Sequence, residues 1–209
     1  MDFRVFELLN GAMNGRDGLD DFVAGFASWS VPLFAAATLS LWFLDRPSGP
    51  VRWKLATACA CTAAGLGLLV NQLIGRIWFR ERPFASHPAH TVLLAQRSRD
   101  PSFPSDHASA AFAIAFVVLF FSLRAGAVFI AWAAAIGLSR ILVGLHYPSD
   151  VLAGAGIGLA CAVLVTTIGR DPVARVAVLA GRLTDPVVAA ATRRFDRARR
   201  SLSRSRHAD

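Results

Sequence analysis

The chain has 209 residues, 55% of them hydrophobic and only 17% charged, with a mean hydropathy of +0.48, a net charge of +8 and a pI of about 11.1. Soluble domains carry roughly a quarter of their residues as Asp, Glu, Lys and Arg. The composition therefore argues against an ordinary soluble domain and predicts one compact, all-α integral membrane helix bundle.

The first 20 residues hold Asp2, Arg4, Glu7, Arg16, Asp17 and Asp20, a pattern that does not fit a cleavable signal peptide. Phe3, Phe6, Leu8, Leu9 and Met13 predict a short amphipathic helix lying in the membrane interface. About five transmembrane helices should follow. Phe22 to Leu44, Leu55 to Gly75 and Val151 to Gly169 are free of charge, and each approaches the ~20 residues that cross a bilayer. Ala108 to Leu123 and Ala125 to Leu145, the latter interrupted only by Arg140, complete the set. Cys59, Cys61 and Cys161 all fall inside predicted spans, where they read as small apolar fillers and not as a disulfide framework.

Charge placement sets an orientation. Arg46, Arg52 and Lys54 follow the first span, Arg124 lies between the third and fourth, and ten arginines lie between Arg170 and Arg206. These are fourteen of the 22 basic residues, and the positive-inside rule makes their side cytoplasmic. The tail reads as topology-fixing and basic, with a headgroup-binding end at 193–200 as the alternative. No other feature supports a nucleic-acid partner.

Three polar islands then emerge together on the outer side. Ionisable groups so close to apolar spans are costly and usually functional. The first is Arg76-Ile-Trp-Phe-Arg80-Glu-Arg82-Pro83. Arginine holds phosphate oxygens bidentately and keeps its charge; Arg82 fits that role best, Arg76 less well, and Arg80 equally well as an interfacial snorkelling residue. The second island is Pro104-Ser105-Asp106-His107. Here Ser105 or Asp106 can cap the third span, backbone N–H groups can meet an anion, and His107 can protonate a leaving oxygen. The third is Ser139-Arg140 followed by His146 and Asp150, with Gly144 as a helix stop. A carboxylate four residues from a histidine can accept its ring N–H and leave the other nitrogen free to attack. Alone, such a pair is more often structural. Asn71 and Gln72 read as interhelical hydrogen bonders. His87 and His90 are too weak a pair for a metal site.

Together the islands resemble the type-2 phosphatidic acid phosphatase superfamily, whose pattern is Lys-x6-Arg-Pro, Pro-Ser-Gly-His and Ser-Arg-x5-His-x3-Asp. The third motif matches in full, and the second has Asp106 in place of glycine. The first keeps Arg82-Pro83 but has Gly75 at the lysine position, with Arg76 beside it. The resemblance covers about residues 20 to 170. It implies that His146 attacks phosphorus, that Asp150 orients it and that His107 protonates the leaving group. Arg76, Arg82, Ser105 and Arg140 would hold phosphate, with no metal and no other cofactor. Arg-Glu-Arg-Pro-Phe, Ser-Phe-Pro-Ser-Asp-His-Ala and Val-Gly-Leu-His-Tyr-Pro-Ser-Asp-Val look like the bacitracin-resistance type of undecaprenyl-diphosphate phosphatase. The expected partners are a lipid phosphate substrate and the plasma membrane. On this reading residues 1–170 form the membrane-embedded phosphatase domain and 171–209 a basic cytoplasmic tail. Other lipid phosphates, or silent lipid binding, are the alternatives.

Overall fold

The computed structural model describes residues 1–13, 17–45 and 51–205, without the side chains of 17, 187–188 and 191–205. Arg46 and Arg206, counted in the charge bias, lie outside the described residues, as do the side chains of the proposed headgroup-binding segment 193–200. The described residues form helices and no strand: α1 (Asp2–Gly11), α2 (Asp17–Ser40, continued by a 3-10 turn at Leu41–Leu44), α3 (Arg52–Ile77), α4 (Pro83–Ser86), α5 (Asp106–Phe121), α6 (Leu123–Leu142), α7 (Pro148–Thr167) and α8 (Arg170–Ser205).

Four of these are long and apolar enough to cross a membrane: α2 with its 3-10 extension, α3, α6 and α7. The third expected span, α5, is apolar and, like the run Ala108 to Leu123, has 16 residues, which rise about 24 Å. It sits at the centre of the bundle. Ala113 and Val117 face Cys59, Ala63, Cys161 and Val165 of α3 and α7. Ala111, Ala115 and Val118 face Phe34, Phe129 and Ile136 of α2 and α6. A helix packed on every side has no polar face, which is why α5 reads as uniformly apolar. The outer helices instead expose Phe22, Trp29, Leu69, Leu73 and Leu152. Apolar surface of this extent fits lipid and not water.

Small residues let these helices approach closely, as is common in membranes. A Cβ on Gly154 would lie 2.8 Å from the Ser105 carbonyl oxygen, and one on Gly158 would lie 2.7 Å from the backbone nitrogen of Ala113. The α5–α6 turn falls at Ser122, whose hydroxyl accepts from the Ala125 N–H at 3.4 Å. Gly126 lies against Leu119 with no room for a side chain.

The two ends of the bundle differ in chemistry. At one end the buried Lys54 ammonium pairs with Asp185 of α8, Trp42 donates to Thr184 at 3.1 Å, and Arg52 donates to the Phe121 carbonyl. The first part of the tail is thus a docked helix and not a loose extension. At the other end lie all three islands and α1. The amphipathic α1 was expected to lie in the interface. One side of it packs onto protein, with Phe6 fully buried against Ala108, Ile141, Tyr147 and Val151, while Val5 and Leu8 stay exposed. Asn10, also fully buried, donates to the carbonyls of Val92 and Leu142 and accepts from the Val92 N–H, each at 2.8 Å.

Replacing Gly158 by valine should therefore lower the thermal midpoint of the detergent-solubilised protein, since overpacking costs about 1–3 kcal/mol. Gly156→Ala, where nothing lies within 4 Å of the new Cβ, should leave the midpoint unchanged in the same melt.

Candidate active site

The site is built from the ends of α3, α5, α6 and α7. After α6 the chain reverses within five residues. Gly144 has φ +83°, and a Cβ there would lie 2.6 Å from the Val92 carbonyl oxygen, so the turn demands glycine. His146 follows, then Pro148 in the first turn of α7 and Asp150. The Ser105 N–H donates to the Asp150 carbonyl at 3.1 Å, which joins the second island to the third through backbone alone.

Asp150 is 0% exposed, and a buried carboxylate needs donors. It has three. The Arg80 guanidinium donates to Oδ1 at 2.6 Å, and the Ser102 hydroxyl and the Tyr147 N–H donate to Oδ2 at 2.6 and 2.8 Å. The hydrogen bond expected from the His146 ring to this carboxylate is not formed. Nδ1 lies 3.7 Å from Oδ2 and 2.7 Å from the Ser102 carbonyl oxygen. A carbonyl can only accept, so Nδ1 carries the proton. Ser102 thus stands between the two groups, donating with its hydroxyl to Asp150 and accepting with its carbonyl from His146. Neither Ser102 nor Tyr147 was singled out from sequence.

The other imidazole nitrogen, Nε2, lies 3.1 Å from a terminal nitrogen of Arg82. Arginine only donates, which confirms Nε2 as the lone-pair nitrogen. Arg82 is held by the carbonyls of Asp100, Leu145 and Pro101 at 3.0, 3.2 and 3.3 Å. None of these is a carboxylate, so its charge is left for an anion. Burial lowers the His146 pKa against the opposing pull of Asp150, which favours the neutral ring.

A cavity of about 800 Å³ opens here, lined by Arg82, Pro104, Asp106, His107, Arg140 and His146, with Leu93 to Gln96, Ser98 and Asp100 on its wall. The His107 ring makes no hydrogen bond to the described residues. The Arg140 guanidinium is buried and donates to the Ala27 carbonyl, with its Nε 3.3 Å from the Ser139 hydroxyl. Ser105 occupies the N-cap of α5 without capping it. Its buried hydroxyl has no partner among the described residues, and such a group is suited to an incoming oxygen. Asp106, where the family pattern has glycine, accepts from Asn71 at 2.8 Å, and Asn71 also donates to Ser109 at 2.9 Å. That gives Asn71 the interhelical role expected of it.

Arg76 is not brought into this cavity. It borders a smaller one, of about 140 Å³, with Gln72, Asp100 and Asp106. Gly75, at the lysine position of the pattern, faces the Pro101 ring. One residue of offset turns a helical side chain by about 100°, and that rotation separates Arg76 from His146. Arg80 also stays out of the cavity. It reaches behind Asp150, donating to Ser149 and Asp2 at 2.7 Å each and stacking 4.1 Å from the Tyr147 ring centre. Burial opposes its charge, but Asp2 and Asp150 outweigh burial and raise its pKa.

Residues 56–173 match the model of the PAP2 superfamily. The chain is a member of the PAP2 superfamily. It is 31% identical to undecaprenyl-diphosphatase BcrC of Bacillus subtilis over 152 residues, 73% of this chain and 76% of that one. It is 35% identical to decaprenylphosphoryl-5-phosphoribose phosphatase of Mycobacterium tuberculosis over 118 residues, 56% of this chain and 61% of that one. The fold is similar to that of the crystal structure of Aquifex aeolicus LpxE, with a TM-score of 0.64 and 27% identity over 78% of this chain and 93% of that one. Family and relatives together mark the chain as a multi-pass membrane PAP2 lipid phosphatase.

Nitrogen-15 NMR of histidine-labelled protein in detergent should show His146 protonated on Nδ1 with a bare Nε2. A lowered pKa means that its proton binds only at lower pH. The neutral form should therefore persist below the ordinary imidazole value of about 6.5.

Proposed function

We propose that this protein hydrolyses undecaprenyl diphosphate to undecaprenyl phosphate and inorganic phosphate through a phosphohistidine on His146. The observation that carries the phosphoryl-transfer reading is the fixed His146 ring. Its Nδ1–H is tied to the Ser102 carbonyl, and its Nε2 faces Arg82 in a cavity shared with His107 and Arg140. The polyprenyl substrate is supported by the similarity to undecaprenyl-diphosphatase BcrC over most of both chains.

In this reading Nε2 attacks the terminal phosphorus as the bond to the bridging oxygen breaks. Protonated His107 gives its proton to that oxygen, and the lipid monophosphate leaves. Neutral His107 then takes a proton from water, which attacks the phosphohistidine and releases phosphate. Arg82 and Arg140, with the unpartnered Ser105 hydroxyl, stabilise the charge that grows on the non-bridging oxygens. Asp150 supports the positive ring that forms on His146. Arg76 is left out of this phosphate set because it borders the neighbouring cavity.

The site is assigned to the extracytoplasmic side of the plasma membrane and the tail to the cytoplasm. Arg52, Lys54, Arg124 and α8 gather at the opposite end of the bundle, as the positive-inside rule requires of the cytoplasmic face. A second reading is a sugar-bearing polyprenyl phosphate such as decaprenylphosphoryl-5-phosphoribose. Gln96, Ser98, Asp100 and Asp106 on the cavity wall suit the hydroxyls of a sugar better than a second phosphate.

The test is phosphate release by detergent-solubilised protein in the presence of chelator. The substrates are undecaprenyl diphosphate, decaprenylphosphoryl-5-phosphoribose, phosphatidate and phosphatidylglycerophosphate. Undecaprenyl diphosphate should turn over fastest, and His146→Ala should lower turnover at least about 10³-fold, as loss of a nucleophile does elsewhere. Preference for another substrate would keep the chemistry and change the lipid. An absolute need for a divalent metal would sink the phosphohistidine.

A further inference from the structure

Behind the catalytic pair lies a chain of contacts that the mechanism above does not use. It begins on α1. Asp2 accepts the Ser149 N–H at 3.0 Å on Oδ1, and the Ser149 hydroxyl and an Arg80 terminal nitrogen (2.7 Å) on Oδ2. The other terminal nitrogen of Arg80 donates to Ser149 and to Asp150. Ser102 then links Asp150 to His146. Burial opposes ionisation of Asp2, but the donors on Ser149 and Arg80 outweigh it and hold its carboxyl below the ordinary value. Both ends of the Arg80 fork are therefore met by carboxylate oxygens, which fixes a planar guanidinium in one orientation.

We propose that Asp2 and Arg80 are positioning residues of the active site. Asp2 sets the guanidinium of Arg80, Arg80 sets Asp150, and Asp150 acts through Ser102 on the ring of His146. The N-terminal helix is thereby a working part of the phosphatase and not a membrane anchor beside it.

The structure separates this role from a merely structural one. α1 is held in place independently of Asp2, by the buried Phe6 and by the three hydrogen bonds of Asn10. Phe3 adds a ring stack on His87 at 3.9 Å and Glu7 a contact to His90 at 3.1 Å. Removing the Asp2 carboxylate should leave the helix docked while freeing Arg80. Arg80 would then be partnered by Asp150 and Ser149 alone, and its charge would act on Asp150 without the offset that Asp2 provides.

The proposal rests on His146 as the reacting group. The experiment uses the full chain in detergent with undecaprenyl diphosphate, or whichever lipid of the panel above is cleaved fastest. Asp2→Asn and Arg80→Gln should each lower kcat about tenfold or more with KM within about twofold, the pattern of a group that acts only in the transition state. Asp2→Glu and Arg80→Lys should restore part of the loss. The double variant Asp2→Asn/Arg80→Gln should be little worse than Arg80→Gln alone, because residues in one chain of contacts are not additive. Glu7→Gln, elsewhere on α1, should match the wild type, and all variants should melt within a few degrees of it. Nitrogen-15 NMR supplies a readout that needs no substrate. In Asp2→Asn the titration midpoint of His146 should move downward, since a negative charge has been taken from its surroundings. Unchanged kcat and an unmoved His146 midpoint in Asp2→Asn would overturn the proposal, as would a kcat loss matched by a collapsed melting temperature. An inactive wild type with a shifted His146 midpoint would retain the positioning chain and discard the phosphatase reading instead.

Discussion

The structure turns on one buried carboxyl group. Asp150 is completely enclosed, and an enclosed carboxylate without donors costs several kcal/mol. Its donors come from three separate stretches of chain: Arg80 after α3, Ser102 before α5, and the Tyr147 backbone before α7. No two of these stretches are neighbours in sequence. Satisfying a single side chain therefore draws together the ends of three helices, and that gathering places Arg82, His107 and His146 around one cavity.

Much of this was legible beforehand. The spans were visible as charge-free runs, and their helical boundaries fall close to the expected ones. α5 is as short as its run of Ala108 to Leu123 implied, and it falls below membrane thickness. The three motifs carried the site because ionisable residues beside apolar spans are seldom idle. Asn71 and Gly144 took the local roles their chemistry suggested. What could not be read was the partner of the His146 proton. A backbone carbonyl has no sequence signature, so Asp150, the only acceptor visible at helical spacing, stood in for Ser102. Arg80 was ambiguous for a related reason: two arginines two residues apart look alike in sequence, and only the path of the chain after α3 sends one into the cavity and the other behind it.

The docking of α1 onto protein has a physical cause. An apolar stripe on a short helix fits a lipid interface and a protein groove equally well, and Phe3, Phe6 and Leu9 satisfy either. The residue that decides is Asn10, a polar side chain near the end of the stripe that is fully buried and hydrogen-bonded to main-chain groups of Val92 and Leu142. The same bonds fix the start of the irregular segment that carries Leu93 to Asp100 along the cavity wall.

The contact between Arg82 and His146 Nε2 also bears on what the protein does when it has nothing to cleave. A lone pair that receives a hydrogen bond from a cation is a poor nucleophile. A phosphate group entering the cavity is a stronger acceptor than a neutral imidazole and draws the guanidinium toward itself, which releases the nitrogen where phosphorus now stands. On the proposed chemistry the resting site is muzzled by the same residue that later steadies the transition state. Its reactivity is conditional on the presence of the right anion. On that chemistry the site carries its own guard, built from a residue it already needs.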